Sequence, residues 1–246
     1  MAMKGIFEKT LRVGTSMCDA SGRMGLNNTF ALFQDIASEH AEEIGVGFEA
    51  MRKRGLFWVT ARIRVRFYRR PNLMEAVKAV TWPAVPGTNR CDRFYRLCAG
   101  QEILAEGRTQ WCVYDLQKGA VHPANDAGYD ADVVFPQETL LDEPHARLRH
   151  DFEEKDLVMR HSVCTTDVDV GQHMNNVAYL RAIENTFSVA QQRKMAVREM
   201  EILFCMPCFE GDELRMMRRE IADGFEFGIQ RPDGRYAALA QMHLEK

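Results

Sequence analysis

Apolar and polar residues alternate along residues 57 to 67, the pattern of a strand with one buried face, and similar runs follow at 74 to 82, 90 to 98 and 102 to 114. Turn residues at 83 to 87 and at Ala99-Gly100 separate them. Ahead of these runs, residues 5 to 16 read as a strand. Phe30, Phe33, Ala37, Ala41 and Ile44 then recur at helical spacings, with Gly45 placed to end the helix. The predicted order is strand, helix, four strands. From 116 to 157 the pattern dissolves into Gly, Pro, Asp and Glu, with Pro123, Pro136 and Pro144 interrupting any long element. A stretch of that length is too long for an ordinary connection and reads as a linker crossing the surface. The order then returns, with strands at 158 to 165, 199 to 208, 213 to 221, 225 to 230 and 235 to 244 and a helix at 176 to 191.

The two halves overlay at one offset. Asp19 falls on Asp169 and Met24 on Met174, since 169 − 19 and 174 − 24 are both 150; Ser21 then meets Gly171 and Arg23 meets His173. The shared order of elements around these positions predicts an internal repeat. On that reading the first copy kept the turn and lost the histidine, so the second is the chemical half.

Composition narrows the classes without choosing among them. The chain has 246 residues, 46% apolar and 27% charged, enough for one large domain or two small ones. A net charge of −3 gives no sign of a nucleic-acid binder. No run approaches the roughly 18 consecutive apolar residues of a spanning helix, and the first ten residues lack the apolar core of a signal peptide. A cytoplasmic protein without stable membrane insertion is the expectation. The seven cysteines, an odd number without a secretion signal, read as reduced thiols. Cys205 and Cys208 have metal-like spacing but no second pair, so no metal site is expected.

The chemistry concentrates in Asp167-Val-Asp169-Val-Gly171-Gln-His173-Met-Asn175-Asn176-Val-Ala-Tyr179-Leu180, a polar turn leading into an apolar helical stripe. Asn175 or Asn176 suits the helix N-cap, and Asp167 suits the turn. Asp169 and His173, four apart, lie near the positive end of that helix. Gly171 is expected to let the backbone turn tightly.

This stretch is similar to the motif of hotdog-fold thioesterases, and more closely resembles the acyl-acyl-carrier-protein thioesterases of bacteria and plant plastids. The resemblance covers almost the whole chain. It extends to Ser38-Glu-His40-Ala-Glu-Glu-Ile44-Gly45, Gly55-Leu-Phe-Trp58-Val-Thr60, Trp111-Cys-Val-Tyr-Asp115 and Gly211-Asp-Glu-Leu214. It implies an α+β fold of two tandem hotdog domains, each a long helix wrapped by an antiparallel sheet. Residues 1–116 would form the first domain with the acyl pocket, 117–157 the linker, and 158–246 the domain with the catalytic motif. The implied activity is hydrolysis of a fatty acyl thioester on acyl carrier protein, without metal or cofactor. Plant members usually have Asn where this chain has Gly171, and a Glu-Cys pair where it has Pro207-Cys208.

Several assignments follow. Asp169 is the expected general base or nucleophile and His173 the polarising group. Backbone amides from Gly171 to Asn176 are the expected oxyanion site. Cys208 is a candidate nucleophile beside His173, against the plainer reading of a packing residue. Glu184 is a candidate second base, against the plainer reading of a rim residue. Asn175 and Asn176 are placed at the substrate, and Phe30, Phe33 and Trp58 along the acyl tunnel. Arg62, Arg64 and Arg66 share one strand face, a basic stripe that would suit an acidic carrier or simply face solvent. An acyl-CoA thioesterase of the same fold and a catalytically silent acyl- or carrier-binding module are the alternatives. A homodimer through an outer sheet edge is compatible with either.

Overall fold

The structure is a computed structural model that describes residues 4–245. In the first half, strand β1 (Phe7–Arg12) precedes the long helix α1 (Leu26–Glu43) and the short helix α2 (Phe48–Lys53). Strands β2 (Leu56–Phe67), β3 (Ala76–Pro83), β4 (Cys91–Ala99), β5 (Glu102–Asp115) and the short β6 (Ala120–His122) follow. The second half repeats the plan with β7 (Leu157–Ser162), α3 (Asn176–Glu184), α4 (Val189–Lys194), β8 (Val197–Phe204), β9 (Glu213–Ile221), β10 (Gly224–Gln230) and β11 (Tyr236–Leu244). All strands join one antiparallel sheet in the order β1-β3-β4-β5-β2-β8-β11-β10-β9-β7, with β6 on the end of β5. Each half thus runs first, third, fourth, fifth, second, and the halves meet where β2 pairs with β8.

Helix α1 follows from its spacing. Phe30, Phe33, Ile36, Ala37 and His40 are buried along one face, and Gly45, at φ 81°, takes the left-handed turn that ends it. The second helix is shorter than the stripe suggested. Thr186 Oγ1 donates to the Ile183 carbonyl at 2.7 Å, and Ser188 caps a new helix through the Gln191 N–H at 3.2 Å. Phe187 consequently leaves the helix register and packs edge-on against Phe225 and Phe227. The strand expected over 199 to 208 ends at Phe204, and Pro207 and Cys208 lie in the connection beyond it. One apolar cluster, from Phe33 and Val65 through Ile183 to Met242, runs unbroken through both halves.

The junction is defined by its two faces. Register pairs Ile63↔Ile202 and Val65↔Met200 point into the core, while Arg64↔Glu201 and Arg66↔Glu199 point out. The three arginines are therefore not a free basic stripe. Arg62 pairs with Glu201 at 2.6 Å, and Arg64 and Arg66 each reach Glu199 at 2.8 Å.

The segment after β6 covers this outer face as a fastened strap. Trp82 Nε1 donates to the Glu138 carbonyl at 2.8 Å, Leu140 and Leu141 are buried with Trp82 and Phe94, and Arg66 meets Glu143 at 3.0 Å. His145 Nδ1 and the Ala146 N–H lie 2.9 and 3.2 Å from Glu201, whose side chain is 3% exposed. Among the described residues, no helix is long and apolar enough to cross a membrane.

A buried pair that loses one partner leaves the other charge uncompensated. Glu201→Ala, which strands Arg62 beneath the strap, is expected to cost about 3–5 kcal/mol in urea unfolding. A cost near that of an exposed pair, below about 1 kcal/mol, would show that the junction does not depend on it.

Candidate active site

The loop before α3 is folded by its own polar groups. One turn of 3-10 helix, Thr165–Asp167, opens it. Asp167 Oδ2 accepts the Cys164 N–H at 3.1 Å, and the carboxylate pairs with His161 at 3.0 Å and Arg181 at 3.1 Å. Asp167 is thereby used as the turn former, which leaves Asp169 for other work. Val168 and Met174 bridge the neck of the loop, and the Asp169 N–H donates to the His173 carbonyl at 3.1 Å.

Gly171 has a different role from the one expected. The left-handed residue here is Gln172, at φ 59°, and not Gly171. Glycine is needed for space, because a Cβ on Gly171 would sit 2.9 Å from His173 Nε2 and 3.0 Å from Asp169 Oδ1. The imidazole and carboxylate close over the bare backbone.

Two donors fix Asp169. Its Oδ1 accepts the Gly171 N–H at 2.8 Å and its Oδ2 accepts Asn175 Nδ2 at 3.1 Å, with the side chain 27% exposed. His173 Nδ1 lies 4.0 Å from Asp169 Oδ1, and its ring stands edge-on to Phe57 of the first half at 6.4 Å. Asn175 is also the N-cap of α3, its Oδ1 accepting the Val177 N–H at 2.8 Å. One side chain therefore sets both the helix start and the carboxylate.

Four of the expected oxyanion amides are taken within the structure. The Gly171 N–H is taken by Asp169, the Gln172 N–H by the Asp169 carbonyl, the Met174 N–H by the Cys208 carbonyl and the Asn175 N–H by the Asp167 carbonyl. The His173 N–H and, at the helix start, the Asn176 N–H find no acceptor among the described residues.

Beside the Asn176 amide opens a small cavity between Asn176, Val177 and Phe204 of the second half and Phe30, Gln34 and Trp111 of the first. Three of its polar groups satisfy one another: Trp111 Nε1 donates to Thr109 Oγ1 at 2.6 Å, and Tyr95 Oη lies 3.0 Å from the same oxygen. The rest of the wall is mainly apolar, with Gln34 as a polar exception. Of the three aromatic residues expected here, Phe30 lines it. Phe33 stands behind the wall, stacked on Tyr95 at 4.7 Å. Trp58 belongs to a separate cluster, its Nε1 donating to the Val46 carbonyl at 2.9 Å, and touches Trp111 edge-on. Trp111, Gln34 and Phe57 are the site residues that the sequence reading did not assign there.

The model of the acyl-ACP thioesterase N-terminal domain matches residues 4–130, and that of the acyl-ACP thioesterase C-terminal domain matches residues 150–244. The chain belongs to the acyl-ACP thioesterase family. It is similar to the chloroplastic oleoyl-acyl carrier protein thioesterase of Coriandrum sativum, 27% identical over 64% of this chain and 48% of that one. It is also similar to the chloroplastic palmitoyl-acyl carrier protein thioesterase of Arabidopsis thaliana, 23% identical over 82% of this chain and 52% of that one. The chain spans about half the length of the curated relatives it matches. Among solved structures, an acyl-ACP thioesterase from Bacteroides thetaiotaomicron superposes with a TM-score of 0.88 at 18% identity, covering 98% of both chains. The 12:0-ACP thioesterase from Umbellularia californica gives 0.84 at 16% identity, covering 98% of this chain and 97% of that one. The fold is thus the tandem hotdog.

Within this family frame, Cys208 stands apart from the loop's chemistry. Its thiol is fully buried, and burial pushes its pKa up, the opposite of activation. What it gives the loop is its carbonyl, which accepts the Met174 N–H at 2.8 Å.

The first-half turn repeats the second nearly bond for bond. Cys18 bridges Met24, the Asp19 N–H meets the Arg23 carbonyl at 2.9 Å, and Asp19 Oδ1 accepts the Ser21 N–H at 2.7 Å. Asp19 is, however, neutralised by Arg70. The cleft beside it is lined by Leu26, Arg70, Phe187 and Glu184. Glu184 is therefore at this second cleft and not at the Asp169 loop. Burial raises its carboxyl to about 7, against the opposing pull of the Asn27 amide and Arg70.

Two tests follow. Asn175→Ala should cost about 1 kcal/mol through the lost cap and release Asp169 Oδ2, seen as a fall in kcat larger than the stability loss explains. Glu184 binds its proton more tightly folded than unfolded, so its contribution is fully present below pH 4.5 and fades as pH rises through 7. Glu184→Gln should accordingly match the wild type near pH 4 and exceed it by about 1–3 kcal/mol at pH 8. A pH-independent difference would exclude this titration.

Proposed function

We propose that the chain is a cytoplasmic hydrolase that cleaves the thioester of fatty acyl-acyl carrier protein and releases the free fatty acid. The first hotdog unit, residues 1–116, shapes the acyl pocket; the second, 158–246, supplies the loop chemistry; and 117–157 connects them. The observation that supports this reading is that Asp169 is held by two donors on the loop entering α3, and the first residues of that helix, Asn176 and Val177, line an apolar cavity built largely by the first half. Seven free cysteines suit a reducing compartment.

In this mechanism the acyl chain occupies the cavity and the thioester carbonyl lies against the Asn176 N–H. Asp169, partly open to solvent, takes a proton from water as the water oxygen bonds to the carbonyl carbon. The carbonyl electron pair moves onto oxygen, where the helix-start amide stabilises it. On collapse the C–S bond breaks, and the pantetheine thiolate takes up a proton delivered through His173. Gly171 supports the geometry by letting both groups approach. A homodimer would form through β1 or β7, the ends of the sheet, both of which carry charged side chains such as Lys9 and Arg160.

Single-turnover cleavage of one acyl chain, presented on carrier protein and then on CoA, tests the proposal. Wild type should cleave the carrier-bound substrate faster, and Asp169→Asn should lower the rate by about 10³-fold or more with the melting temperature retained. Equal rates on CoA would make it an acyl-CoA thioesterase. Binding without cleavage would favour the silent module that Gly171 and Pro207 suggest.

A further inference from the structure

The internal repeat pairs Glu184 of α3 with Gln34 of α1, since 184 − 34 is again 150. Each is the ninth residue of its helix, counting from Leu26 and from Asn176. Helices α1 and α3 pack together, so each offers this residue to the other's N-terminus. Glu184 shares its cleft with Leu26 and interacts with the Leu26 and Asn27 amides. Gln34 shares the other cavity with Asn176 and Val177. Both pairs show where a polar group meets a helix start.

The two copies differ in what that group leaves free. In the first cleft the Glu184 carboxyl group lies by the start of the other helix, and Asp19 is tied to Arg70. In the second, a neutral carboxamide brings two N–H donors and does not compete for the Asn176 amide. The substitution of an amide for an acid coincides with the half whose Asp169 is unpaired with any arginine.

We infer that Gln34 donates a side-chain N–H to the thioester carbonyl oxygen alongside the Asn176 N–H, which makes it a catalytic residue and the oxyanion site a joint product of both halves. The inference rests on the proposed hydrolysis. As the carbonyl becomes an oxyanion, both N–H groups strengthen their bonds to it, and the C–S bond then breaks as described above.

The test compares Gln34→Met, which keeps volume and loses the donors, with Gln34→Glu, which installs the acid found in the other cleft. Gln34→Met should lower kcat by about 10²-fold, the usual scale for one oxyanion donor, with KM within about twofold. Gln34→Glu should be slower still, because its charge repels the oxyanion and engages the Asn176 amide. Glu184→Gln, outside the site, should keep wild-type turnover, and thermal melts confirm that each variant is folded. Wild-type kcat in Gln34→Met, or a change in KM alone, overturns the assignment and leaves the hydrolase reading standing. A wild type inactive on every thioester overturns both.

Discussion

The pairing of β2 with β8 is the contact on which the rest of the structure depends. Its inner face joins Ile63 to Ile202 and Val65 to Met200, fusing two small cores into one, and its outer face matches arginines with glutamates across the same strands. Only with the sheets joined do α1 and α3 lie against each other. Only then does the start of α3 face Phe30 and Gln34, which belong to a chain segment some 150 residues earlier. Neither half contains the candidate site alone.

That dependence explains what could and could not be read from the sequence. The order of elements along the chain, the long helix ending at Gly45 and the repeat were legible because local spacing and turn residues decide them. The roles of Asp167 and Asn175 were legible too, since capping and turn formation are short-range. Trp111 and Gln34 were not, because neither a strand's alternation nor a helix's stripe says which side chain from the other half it will meet. The arginines of β2 misled for the same reason: alternation put them on one face, and the glutamates that neutralise them lie on β8 and the strap. Gly171 misled differently, since a glycine required by a neighbouring imidazole looks the same in sequence as one required by a turn.

The two turns show how a duplicated device diverges while its backbone stays fixed. Both keep the bridge at the neck, the aspartate accepting an amide two residues on, and a left-handed residue three positions after that aspartate, Gly22 and Gln172. What changed is the company of the aspartate. In the first copy Arg70 neutralises Asp19 and the buried Glu184 carboxyl is raised to about 7, whereas Asp169 has no arginine partner among the described residues and stays partly open to solvent.

Asn175 carries one more implication. Its oxygen holds the first turn of α3 and its nitrogen holds Asp169, across distances of 2.8 and 3.1 Å. The amide group is planar and rigid, so the helix and the carboxylate have no independent freedom along that line. A small slide of α3 against α1 would swing Asp169 with it, and anything that loads the far end of the cavity has a mechanical lever on the base.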